Sequence, residues 1–316
     1  MFRRNVILGA AGVAGLLLTG CGSGDDDDEP VAVETPDIVQ LAQASPDLSI
    51  LVEAVVSAGL VDTLKGPGPF TVFAPTNAAF SALLVELGVT KAQLLADKAL
   101  LTAVLTYHVI AAKVEKAQIP LGKAIKTVQG SVLKVEAANN ALRITDGRNR
   151  SALVTATDLQ AKNGVVHLVD KVILPPNKNI VETAQSLPQF SVLVEAVVAA
   201  DLQTVLSGPG PFTVFAPTND AFLALLTELG LTKTVLLADK TLLTQVLTYH
   251  VLPGLALKAE LPLNTALTTV QGESLQVSSS LVITDQRNRT ATIVITDVLT
   301  SNGVIHAIDK VILPKP

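Results

Sequence analysis

The sequence has no tryptophan, and its aromatic content is only 3%. Stacking platforms for sugars or bases are therefore scarce. It has one cysteine, Cys21, so no disulfide can close within the chain. Without a second thiol, and with only His108, His167, His250 and His306 as imidazole donors, a structural metal cage is not expected, and no cofactor is. Charge is sparse as well: 16% of residues are charged and the net value is −5, which repels nucleic acid.

What remains is apolar. The 316 residues are 49% hydrophobic with a mean hydropathy of +0.48, enough for two ordinary cores. At the start, Arg3 and Arg4 precede an apolar run at residues 6–18 that is too short for a good membrane span. The run leads into "LTGC" at 18–21, which resembles a bacterial lipobox. That resemblance implies cleavage after residue 20 and lipidation of Cys21, and two or more acyl chains there give stable anchoring where one would not. Gly22 stands where an inner-membrane retention signal often places Asp, so the expected location is the cell envelope, on the outer membrane of a double-membraned cell. The acids of "GDDDDEP" at 24–30 repel one another and read as an extended tether over residues 21–34.

Beyond the tether the chain is written twice. "GPGPFTVFAPTN" stands at 66–77 and again at 208–219; "LVEAVV", "LTYHV" and "TVQG" recur at the same offset. The offset then shortens by three residues where "VEAANNALRI" faces "VSSSLVI", the mark of a hairpin turn that tolerates length change. A period this long is a domain, so the expected division is 35–176 and 177–316, joined by "PPNK" and each able to fold alone.

Each copy begins with helical spacing. Ile50, Leu51, Ala54, Val55 and Ala58 share a face, and Gly59 stops it. "FTVFA" reads as a strand buried on both sides. Thr76 or Asn77 can cap a helix that carries Phe80, Leu83, Leu84 and Leu87 and closes at Gly88. Thr90 and Gln93 form a capping-box pattern, and Asp97 starts a helix with Leu100, Leu101, Val104, Leu105 and His108 on one side. From Thr127 the period becomes two, and the last strand is expected to run through "GVVHLVDKVIL". Helices followed by a sheet meander make an α+β arrangement.

These residues carry a family resemblance. "TVFAPTNAAF"/"TVFAPTNDAF", "LTYHV" and "NGVVHLVDKVILP"/"NGVIHAIDKVILP" occur in order in both copies, and each copy resembles a fasciclin domain. The resemblance implies two tandem wedge-shaped β-sandwiches flanked by helices, and adhesion or binding to matrix, cell-surface or polysaccharide partners in place of catalysis. It also makes Tyr107, His108, Tyr249 and His250 candidate partner-binding residues.

Against that stands a structural reading of the same residues. A histidine at the end of an apolar helix is expected to be a core group held by a backbone carbonyl and favoured by the helix dipole. No nucleophile sits in a recognisable setting near any histidine, so no catalytic residue is expected. Asp170 is expected to accept backbone amides, and "RNR" at 148–150 and 287–289 to form a solvated hairpin tip or a basic contact for an acidic glycan. The alternative function is a periplasmic or surface carrier of a small apolar ligand or glycan, which a large apolar pocket would favour.

Overall fold

The structure, a computed structural model, describes residues 35–139 and 141–316. Cys21 and the acidic run lie outside them. In the first repeat, helices α1 (Ile38–Ala44), α2 (Ser49–Ser57) and α3 (Val61–Lys65) precede strand β1 (Phe70–Pro75). Then come α4 (Asn77–Leu87), α5 (Lys91–Ala96), α6 (Lys98–Tyr107), β2 (Val109–Ile110), β3 (Ala124–Lys126), β4 (Val132–Ala138), β5 (Ala141–Thr145), β6 (Ser151–Ala161) and β7 (Gly164–Val169).

Local chemistry sets most of these boundaries. The Thr76 side chain accepts the Ala79 amide and caps α4, and Gly88 ends that helix in a left-handed conformation at φ 65°. Asn77 does something else: its side chain binds the Ile50 amide and the Pro46 carbonyl, fastening the start of α2 to α4. The Thr90–Gln93 capping box and the Asp97 cap are both formed. The length difference between the copies falls in the β4–β5 hairpin, as expected.

The seven strands form one sheet in the order β2-β1-β7-β6-β5-β4-β3, with β1 and β7 parallel. Two register shifts bend β6 between Val154 and Leu159, so the sheet turns on itself there. Phe73, Tyr107, Leu133, Val135, Ile144 and Val169 fill the space between its halves. The helices cover the opposite face of β1 and β7, where Val72, Ala74 and Val166 meet Leu51, Phe80 and Leu101. Gly164 is required where those two strands approach, because a Cβ there would lie 2.0 Å from the Phe70 carbonyl oxygen.

The last strand is shorter than the apolar run suggests. Val169 is its last residue: the Asp170 amide still donates to the Leu153 carbonyl of β6 (3.0 Å), and farther on Ile173 N–H donates to His108 Nε2 (3.1 Å) and Leu174 N–H to Asp146 Oδ2 (2.9 Å), away from the sheet. Asp170 accepts the Leu153 amide at 2.7 Å and closes the pairing with β6.

The second repeat follows the same plan through α7 (Ile180–Gln185), α8 (Ser191–Ala199), α9 (Gln203–Leu206), β8 (Phe212–Pro217), α10 (Asn219–Leu229), α11 (Lys233–Ala238) and α12 (Lys240–Tyr249). Its remaining strands are β9 (Val251–Pro253), β10 (Ala266–Thr268), β11 (Ser274–Val277), β12 (Val282–Thr284), β13 (Thr290–Thr300) and β14 (Gly303–Ile308), in the equivalent order.

The repeats touch through an ionic and apolar joint. Lys134 Nζ on β4 lies 3.1 Å from Asp297 Oδ2 on β13 and 3.0 Å from Glu136. Asp297 also accepts the Lys258 amide at 2.7 Å. The Asn149 side-chain amide donates to the Leu299 carbonyl (3.0 Å) and accepts its N–H (2.7 Å), as a neighbouring strand would. Leu257, Leu299 and Val304 pack there against Ala124 and Val132.

Candidate functional site

The Tyr-His pairs sit where α6 and α12 end, and the structure places them inside the protein. Tyr107 is fully buried between the sheet halves, and its hydroxyl donates to the Val132 carbonyl on β4 at 2.8 Å. Tyr249 repeats this with the Ser274 carbonyl at 2.9 Å. Burial, with Asp146 beside Tyr107 and Asp285 beside Tyr249, pushes both phenols well above their ordinary pKa.

His108 faces the other way, toward the helical layer, so adjacent residues serve two different cores. Its Nδ1–H donates to the Val104 carbonyl at 2.7 Å and its Nε2 accepts the Ile173 amide at 3.1 Å. That pair of bonds requires the neutral ring. Burial lowers its pKa to about 4, outweighing the opposing pull of the Val104 carbonyl. His250 is bound in the same way, to the Val246 carbonyl and the Ile312 amide, and is likewise lowered to about 4. The expected dipole stabilisation of a charged imidazole therefore has no role: desolvation wins.

The remaining histidines are also spent on the backbone. His167 accepts the Asp158 amide through Nδ1 (3.2 Å) and donates through Nε2 to the Val114 carbonyl (3.0 Å). His306 does the same with Asp297 and Ala256, and its pKa is lowered by burial. Every imidazole nitrogen is thus bonded to a backbone group.

The "RNR" tips are solvated only in part: Asn149, Arg287 and Asn288 are exposed, whereas Arg148, Arg150 and Arg289 are half-buried. Asp146, almost fully buried, accepts the Arg148 and Arg150 amides through Oδ1 and the Leu174 amide and Arg150 guanidinium through Oδ2. Arg150 then reaches both Glu86 oxygens on α4 at 2.7 Å. Asp285 organises the second copy around the Arg287, Arg289 and Leu313 amides. Carboxylate burial there demands this many donors, and the loop curls to supply them.

Sequence reasoning missed Asn163 and Asn302, whose "NG" context signals only a turn. Asn163 is buried; it accepts the Ile38 amide (3.1 Å) and donates to the Leu64 and Gly66 carbonyls (2.7 and 2.8 Å). It ties α1, α3 and the turn before β1 to the start of β7, and Asn302 makes the equivalent three bonds.

Each repeat has an apolar hollow beneath its first helices, lined in the first by Ile38, Leu51, Val55, Leu64, Val72 and His108, but its free volume is only about 30 Å³. That is the share of a single water, not of a carried ligand. Two larger openings are grooves of about 420 and 290 Å³ with mixed polar and apolar walls, at equivalent places beside α4 and α10. Cys21 lies outside the described residues. No helix among those residues is long and apolar enough to cross a membrane.

Comparison with known proteins gives one family. The fasciclin domain matches residues 46–175 and 188–314. Periostin of Homo sapiens is 29% identical over 267 residues, 83% of this chain and 29% of periostin. Immunogenic protein MPB70 of Mycobacterium bovis is 36% identical over 148 residues, 47% of this chain and 70% of that protein. The solved fasciclin domain pair of the insect cell adhesion molecule fasciclin I is 19% identical with a TM-score of 0.41, covering 83% of this chain and 95% of that one. The chain spans less than a third of the length of periostin.

Proposed function

The chain belongs to the fasciclin-domain family, and from that premise we propose that it is a non-enzymatic binding protein of the cell envelope. In this reading it is lipid-anchored through Cys21 and holds its two domains out from the membrane on the acidic tether to adhere to matrix, cell-surface or polysaccharide partners. The observation that carries the non-enzymatic part is the fate of the histidines: all four spend both ring nitrogens on backbone groups. The apolar hollows, of about 30 Å³ in each repeat and about 120 Å³ among Phe80, Leu94, Leu101 and Leu174 in the first, are smaller than the several hundred Å³ a carrier of small apolar molecules needs.

The test compares cells that carry the protein, cells that lack it and cells with Cys21→Ser, on protein- and polysaccharide-coated surfaces. Adhesion is expected with the native chain and lost in the other two, with the Cys21→Ser protein in the soluble fraction or left unprocessed. Equal adhesion by cells lacking the protein would overturn the binding reading. A normally processed Cys21→Ser protein that still fractionates with membranes would overturn the anchor.

A further inference from the structure

The two grooves beside α4 and α10 repeat one set of side chains. In the first, Ala79, Ala82 and Glu86 come from one face of α4, Arg150 and Ser151 from the start of β6, and Lys171 from the loop after β7. In the second, the corresponding residues are Ala221, Ala224 and Glu228, Arg289 and Thr290, and Lys310. The alanines leave the space, and a hydroxyl, a carboxylate and two cations rim it in each case.

The cations differ in what they are free to do. Arg150 is held by Asp146 and Glu86, so it is a fixed wall. Lys171 and Lys310 are exposed and make no ion pair among the described residues. In the second groove, Arg289 binds Glu228 and is likewise held. An exposed lysine without an ion-pair partner at the rim of each groove favours an incoming acceptor with negative charge.

We propose that these grooves bind acidic polysaccharide through uronate residues, the sugar carboxylate meeting Lys171 or Lys310 and the sugar hydroxyls meeting Glu86 and Ser151 or Glu228 and Thr290. A glutamate in each groove disfavours a doubly charged phosphate, whereas a singly charged sugar acid offers hydroxyl donors to that same carboxylate. Neutral sugars lack the charge, and no aromatic ring lines either groove to hold them by stacking. The proposal rests on the surface-binding reading above and names one partner class for it.

The test is calorimetric titration of the full-length protein in detergent with trigalacturonate, against maltotriose and tri-glutamate. Two sites per chain are expected for trigalacturonate, weakened at least fivefold when salt is raised above about 0.1 M, where the screening length falls below about 10 Å. Lys171→Ala should leave one site and Lys171→Ala with Lys310→Ala none, with melting unchanged because both side chains are exposed. The proposal is overturned if trigalacturonate binds no better than maltotriose, if tri-glutamate binds equally well, or if the double variant keeps both sites. Such a result with adhesion intact on the coated surfaces removes only this proposal; loss of both removes the surface-binding reading as well.

Discussion

The two repeats are nearly identical inside and different where they meet. Phe73 and Phe215, Tyr107 and Tyr249, and His108 and His250 occupy equivalent buried places. At the joint the correspondence holds only in part: the Asp and Asn positions match and the rest do not. The second repeat presents Leu257, Leu299 and Asp297; the same places in the first are Glu115, Gln160 and Asp158, a polar set with Gln160 exposed. The first repeat presents Lys134, Val132 and Asn149; the second has Gln276, Ser274 and Asn288. A head-to-tail contact that recurred unchanged would build an open filament. Here the apolar Leu257, Leu299 and Val132 and the Lys134 cation have no counterpart on the opposite outer faces, so the contact is made once and both outer faces are polar.

Substitutions inside the repeated framework should act alike in both copies. Asn163→Ala and Asn302→Ala each strand three backbone groups, and each should cost roughly 3–5 kcal/mol of unfolding free energy, read by denaturant titration. A large effect in one copy alone would break the equivalence. Substitutions at the joint should act on one side only. Lys134→Ala leaves Asp297 buried without its cation and should cost about 3 kcal/mol. Gln276→Ala, its exposed counterpart, should stay within about 0.5 kcal/mol.

Acid should again treat the copies alike. Unfolded histidine takes a proton below about pH 6.5; folded His108 and His250 do so only below about 4. Between those values the unfolded state binds more protons, so stability falls as pH drops from about 6.5 to about 4 and levels off below that. The full shift is worth on the order of 3 kcal/mol per repeat, measured as denaturant stability against pH. His108→Gln should flatten the first repeat's share. A smaller asymmetry belongs to the hairpin tips: Asn149 and Asn288 share a positive φ that alanine tolerates less well, so Asn149→Ala should cost about 1–2 kcal/mol more than Asn288→Ala, through the orphaned Leu299 amide and carbonyl.

What could be read from the sequence was local or repeated. The Thr76 cap, the Thr90–Gln93 box and the Gly88 stop each depend on residues within one turn of helix, so their spacing is visible in the chain. The doubly buried strand was visible because every residue of "FTVFA" is apolar or small. The end of β7 was not, since the amides of Ile173 and Leu174 beyond it turn to His108 and Asp146, 65 and 28 positions earlier. Arg148 and Arg150 read as solvated because charge alone suggests exposure; the buried Asp146 that gathers them shows only in three dimensions. The joint left no trace in the repeat pattern because it mixes positions that are the same in both copies, such as Asp297 and Asn149, with positions that differ, such as Lys134 and Leu299. The grooves use residues on α4, β6 and the following loop that no single motif contains.

The central claim is that the Tyr-His pairs hold the fold and that partners are met elsewhere. Tyr107→Phe with Tyr249→Phe tests it most directly, since the change removes two hydroxyls bonded to buried carbonyls and little else. Melting and adhesion are to be measured on the same preparation. The account predicts a loss of about 1 kcal/mol in each repeat with adhesion per folded molecule unchanged. Unchanged melting with adhesion abolished would contradict it.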